Sequence, residues 1–81
     1  MTVHVLIFAS LAQLVGEREL ELSLSDGETV GGVLDRLSER YPRIQAARQK
    51  VATAVNMVYV DEEHALSDGD TLALIPPVSG G

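Results

Sequence analysis

Eighty-one residues suffice for one small domain with a thin core, which buries roughly 60 to 65% of the surface its unfolded chain exposes. A net charge of −6 disfavours nucleic acid and anionic membranes as partners and suits a protein with a basic docking face. The absence of cysteine removes disulfides, thiolate nucleophiles and cysteine metal sites.

Val3 to Ala9 is rich in β-branched and aromatic residues, with apolar side chains on both faces, and predicts a strand covered on both sides. Ser10 is placed to cap a short helix that carries Leu11, Leu14 and Val15 and closes at Gly16. Glu19 to Leu24 alternates, with Leu20, Leu22 and Leu24 inward, which predicts a half-buried strand turned by Ser25-Asp26-Gly27. Thr29 is a candidate N-cap for the main helix, whose stripe is Val30, Val33, Leu34 and Leu37.

Pro42 stops that helix, and the polar run 43–50 reads as a connection with room for one loose helical turn. Thr53 to Val60 reads as one strand, with Val55, Met57 and Tyr59 on one face. Asp61-Glu62-Glu63-His64 predicts a hairpin tip, Ser67-Asp68-Gly69-Asp70 a second turn, and Thr71 to Ile75 the last strand. The expected core is Leu20, Leu22, Val30, Val33, Leu34, Leu37, Val55, Met57 and Leu74.

One main helix, one short first helix and several strands in this order predict an α+β fold over 1–75, followed by an extended tail over 76–81. The sheet is expected to be mixed, with the N- and C-terminal strands adjacent at its centre, which is a β-grasp, ubiquitin-like arrangement. A ferredoxin-like sheet needs a second full-length helix before the last strand, and 61–70 is too short and turn-rich to supply it.

The interior carries little chemistry. His4 lies in a strand and reads as structural. Side chains on a hairpin tip diverge, so Asp61, Glu62, Glu63 and His64 make a poor metal site, and no metal is expected. Asp68-Gly69-Asp70 lacks the spacing of a calcium loop. Gly31-Gly32 at a helix start is a weak phosphate signal, explained equally by close helix packing.

The ending is more informative. Pro76-Pro77-Val78-Ser79-Gly80-Gly81 joins a stiff spacer to a diglycine that has no side chains to obstruct a narrow channel. Together with Phe8-Ala9, Leu14-Val15-Gly16, Ala54-Val55-Asn56 and Asp68-Gly69-Asp70, it resembles the small-subunit family of molybdopterin synthase over nearly the whole chain. The resemblance implies that the Gly81 carboxylate is adenylated by a partner using ATP. The carboxylate then becomes a thiocarboxylate that donates sulfur to cyclic pyranopterin monophosphate.

It also implies a heterotetramer with the synthase large subunit, an adenylating and sulfurating enzyme as second partner, and no cofactor held by this chain. The chain would then be a non-catalytic donor subunit of a transferase complex. Family members often carry an arginine and an acid where Ala12 and Gln13 stand, so an ion pair from there is not expected.

Gly81 and Gly80 are the reacting end, and Phe8, Leu74, Ile75, Pro76, Pro77, Val78 and Ser79 the candidate docking residues. Other β-grasp carriers, serving thiamine, cysteine or transfer-RNA thiolation, and ubiquitin-like modifiers are the alternatives, as is an interaction domain with an inert tail. Met1-Thr2-Val3-His4 does not read as a signal peptide and no apolar run approaches membrane length, so the expected location is the cytoplasm.

Overall fold

The computed structural model describes residues 1–77. The elements in order are β1 (Thr2–Ile7), α1 (Ala9–Val15), β2 (Glu19–Ser23), α2 (Val30–Arg40), α3 (Pro42–Ala47), a 3-10 turn (Arg48–Lys50), β3 (Ala52–Val55), β4 (Val58–Val60) and β5 (Thr71–Ile75). The strands form one sheet in the order β2-β1-β5-β3-β4. β1 and β5 run parallel at its centre, and the other neighbours are antiparallel. This is the mixed β-grasp sheet expected, with the terminal strands adjacent.

One face of the sheet is closed by helices. Val3, Val5 and Ile7 of β1, Leu72 and Leu74 of β5 and Val55 of β3 meet the predicted α2 stripe of Val30, Val33, Leu34 and Leu37 in a continuous core. Leu20 and Leu22 pack on its margin, because β2 is an edge strand. Thr53 is also buried there, and its hydroxyl donates to the Val60 carbonyl at 2.7 Å, which removes the cost of an unpaired polar group.

The start of α2 is fully satisfied. The Thr29 hydroxyl accepts from the Gly32 N–H at 3.1 Å, and its carbonyl accepts from the Val33 N–H at 3.2 Å. Segment 62–66 lies against the same turn, where the His64 and Glu62 carbonyls accept from the Val30 and Gly31 N–H groups at 3.0 and 2.8 Å. A Cβ on Gly31 would meet the Glu62 carbonyl at 3.1 Å. Close packing explains this glycine, and the donors a phosphate would use are already engaged.

Five expectations are corrected. The run 43–50 is not a bare connection: Tyr41 breaks the helix at φ −127° and ψ 86°, Pro42 starts α3, and Ile44 anchors it in the core. Val58–Val60 does not continue β3 but returns as β4, because Asn56 and Met57 take φ of 49° and 72° and close a two-residue hairpin. Met57 therefore leaves the expected core and stands 97% exposed. The outer side of β1 is uncovered, since the helices lie on the opposite face, and Phe8 is 46% exposed. α1 begins at Ala9 with no side-chain cap, so Ser10 does not cap it.

Candidate functional site

The uncovered sheet face is ordered by strand register. A single cross-strand row runs from Glu19 through Leu6, Ala73 and Ala54 to Tyr59, one residue from each of the five strands. Period-two alternation puts these side chains opposite the core residues. Ala54 and Ala73 contribute only methyl groups on the two strands between β1 and β4. The result is a trough with a low floor, walled by Leu6 and Phe8 on one side and Tyr59 on the other, with Ile75 at one end.

The end of the trough bearing Ile75 is the root of the tail. The Phe8 N–H donates to the Leu74 carbonyl at 3.1 Å, after which Pro76 and Pro77 offer no donor to continue the ladder. Ala9 takes φ 49°, which turns the chain sharply into α1 and leaves Phe8 beside the point where β5 ends. Pro76 is half-buried and Pro77 exposed. The calls on Val78, Ser79, Gly80 and Gly81 lie outside the described residues.

Of the other predicted docking residues, Phe8 and Ile75 line the trough. Leu74 does not. It is 1% exposed and faces the helices, because its neighbours Ala73 and Ile75 take the outer face, so its assignment to docking is corrected to core. Leu6, Ala54, Tyr59 and Ala73 were absent from the sequence-based docking set. The alternation Thr71, Ala73, Ile75 against Leu72, Leu74 was the signal that could have found the β5 contribution.

The polar surroundings are asymmetric. Glu19 and Glu21 make the β2 edge acidic, and the His4 imidazole lies 3.8 Å from the Glu21 carboxylate. Ala12 and Gln13 line a second groove between α1 and the Arg18-Glu19 segment, which shares Phe8 with the trough. At the other end, the Asn56 amide donates to Asp70 at 2.9 Å and its carbonyl oxygen accepts from the Thr71 N–H at 3.1 Å. Asp70 also accepts from the Ser67 N–H at 2.8 Å, so the hairpin tip is bound to the turn before β5.

Two of the 61–64 acids are engaged elsewhere. Glu62 accepts from Arg48 at 2.8 Å, and Asp61 accepts from the Glu63 N–H at 3.0 Å. Arg48 also donates to Asp35 and to the Gly31 carbonyl, and its pKa is raised by the hydrogen bond it gives to Glu62 and then by that to Asp35. That cluster fastens the helical layer and has no geometry for chemistry. Among the described residues no helix is long and apolar enough to cross a membrane.

A β-grasp domain with an apolar trough that runs to the root of a diglycine tail defines the class of ubiquitin-like carriers. The chain belongs to the ThiS family, whose model matches residues 5–81. It is 38% identical to a molybdopterin synthase sulfur carrier subunit of Mycobacterium tuberculosis, over 98% of this chain and 96% of that one. A protein of the same name from Arabidopsis thaliana is 35% identical, over 98% of this chain and 82% of that one. Small archaeal modifier protein 1 of Haloferax volcanii is 34% identical, over 93% and 95%.

Among solved structures, a putative molybdopterin converting factor subunit 1 from Pyrococcus furiosus superposes with TM-score 0.87 at 30% identity, covering 96% of this chain and 99% of that one. The complex of subunits 1 and 2 of molybdopterin-converting factor from Helicobacter pylori contains a chain that matches with TM-score 0.74 at 26% identity, covering both chains fully.

Proposed function

We propose that this chain is the sulfur carrier subunit of molybdopterin synthase, and that Gly81 is its reacting residue. The observation that carries the reading is the apolar trough ending where the tail begins. A partner that covers Phe8, Tyr59 and Ile75 is thereby placed to receive the next few residues. An extended chain gains at most about 3.3 to 3.6 Å per residue, so four residues beyond Pro77 reach roughly 13 Å into a partner.

The chemistry needs little from this chain. A carboxylate is a poor electrophile, and an activating enzyme makes it reactive by attacking ATP with the Gly81 carboxylate, which forms an acyl-adenylate and releases pyrophosphate. A sulfur donor then displaces AMP and leaves a thiocarboxylate. On the large subunit the thiocarboxylate sulfur bonds to cyclic pyranopterin monophosphate, and water then cleaves the acyl–sulfur bond, which leaves the sulfur on the pterin and returns the Gly81 carboxylate. Gly80 and Gly81 add no bulk to the channel, and Pro76 and Pro77 reduce the entropy lost when the tail is ordered. The chain holds no cofactor itself, supplies no catalytic group and works in the cytoplasm.

Two partners need the same tail, so they dock in turn. The trough supplies a largely uncharged contact to each.

The experiment is intact mass after incubation with the activating enzyme, ATP and a sulfur source. Native protein should gain the mass difference between sulfur and oxygen, and lose it on hydrolysis. Deletion of Gly81 should abolish that gain without changing the unfolding midpoint; a truncated chain that still accepts sulfur would refute the assignment. A second reading, protein modification through Gly81, is favoured by the similarity to small archaeal modifier protein 1. It predicts an amide to a lysine of another protein, visible in mass spectra as a lysine that carries a branched peptide ending in Gly80-Gly81.

A further inference from the structure

The hairpin tip between β3 and β4 uses an unusual residue. Two-residue hairpins of this kind place both tip residues at positive φ, which favours Asn followed by Gly. Asn56 fits, since asparagine tolerates the left-handed region and its side chain is bound to Asp70 and Thr71. Met57 does not fit. At φ 72° its Cβ crowds the neighbouring backbone, and the strain is relieved by no contact, because the residue is 97% exposed.

Its position gives the strain a purpose. Met57 lines the far end of the trough, next to Tyr59, on a tip that Asn56 and Asp70 hold in place. The other methionine, Met1, packs against the core. A flexible, polarisable thioether on a fixed stalk adapts to differently shaped surfaces without loss of apolar contact. That matches a carrier whose one face is read by two proteins in turn.

We infer that Met57 is a docking residue that helps set partner affinity, inserted into an apolar recess on the large subunit. The inference rests on the docking role of the trough and extends that surface over the hairpin tip. Exposure of a thioether would otherwise favour a polar side chain, and the backbone would favour glycine or asparagine.

The test exploits these opposing preferences. Met57→Asn, Met57→Gly and Met57→Leu in the full chain are titrated calorimetrically against the purified large subunit, and unfolding midpoints are recorded for each. Met57→Asn and Met57→Gly should bind about tenfold more weakly, the loss expected for one well-packed anchor. Met57→Asn should unfold at or above the native midpoint, since it relieves the strained backbone. Met57→Leu should bind within about threefold of native, because it keeps the apolar volume.

A tip residue with only a structural role would move stability and not affinity. Binding of Met57→Asn within about twofold of native, or a midpoint that falls in step with affinity, overturns the inference. Native protein that fails to bind the large subunit overturns the docking reading beneath it, and the two failures differ in which sample fails.

Discussion

Ala54 and Ala73 face each other across β3 and β5 on the uncovered side of the sheet, and their two methyl groups make the floor of the trough. Larger side chains at either position would fill the depression that Leu6 and Tyr59 wall. Both residues neighbour core residues along their strands, so the same backbone serves packing on one face and docking on the other.

Ala73→Lys should therefore separate docking from folding. The lysine stem can lie along Leu6 and carry its charge to solvent, which keeps the cost to stability below about 1 kcal/mol. An ammonium group over the trough leaves a partner to bury or displace it, so complex formation should weaken by at least tenfold, about 1.4 kcal/mol. Gel filtration and calorimetry of the same preparation decide the matter; an undiminished complex would remove the trough from the interface.

Leu34 lies at the centre of the helical stripe and is among the largest fully buried side chains. Leu34→Ala should cost roughly 2 to 5 kcal/mol, through lost burial and the cavity left behind. For a domain whose whole stability is on the order of 5 to 15 kcal/mol, that is a lowered denaturant midpoint with an unchanged slope. A midpoint within error of native would mean that the core rearranges to fill the space.

The α2 stripe was legible because four apolar residues at helical spacing leave one arrangement, and β5 because it alternates between the Asp68-Gly69-Asp70 turn before it and Pro76-Pro77 after it. The hairpin at Asn56-Met57 was not, since Val-Asn-Met-Val carries no glycine and keeps the apolar run unbroken. Tertiary hydrogen bonds from Asn56 to Asp70 and Thr71 make that turn, and no local pattern reports them. α3 escaped for a similar reason: six residues show too little periodicity, and one side chain, Ile44, anchors the helix. The diglycine ending is visible in the sequence itself, but the trough is not. Ala54 and Ala73 signal nothing until register places them side by side.

Arg48 ties three segments together, since its guanidinium donates to Asp35 and Gly31 of α2 and to Glu62. Arg48→Met keeps the aliphatic stem and removes the charge-assisted bonds, and should cost about 1 to 2 kcal/mol, moderated by solvent at this partly exposed site. Its pKa is raised from an already high value, so the stabilisation is present below that range and fades only as pH rises through it. The difference between native and variant midpoints should thus stay constant from about pH 6 to 9 as far as Arg48 itself titrates. A difference that disappears toward the upper end of that window would show that another titrating group supplies it.

Charge should govern how fast the carrier finds a partner more than how long it stays. The trough itself is apolar, while Glu19 and Glu21 form an acidic margin on β2 and the whole chain carries −6. Against a basic docking face, such a margin steers encounter from a distance, and the apolar contact then sets the lifetime. Raising salt from about 0.1 to 1 M shortens the screening length from about 10 Å to about 3 Å. The association rate should fall several-fold toward the unsteered range of about 10⁵ to 10⁶ M⁻¹s⁻¹, with dissociation changed by less than about twofold. Glu19→Gln with Glu21→Gln should lower the low-salt association rate and flatten its salt dependence, because the acidic margin beside the trough is neutralised while Leu6, Phe8 and Tyr59 remain. Stopped-flow association and surface-based dissociation measure the two rates separately. If salt instead accelerates dissociation and leaves association untouched, the complex is held by ion pairs at its centre, and the apolar trough is not what binds.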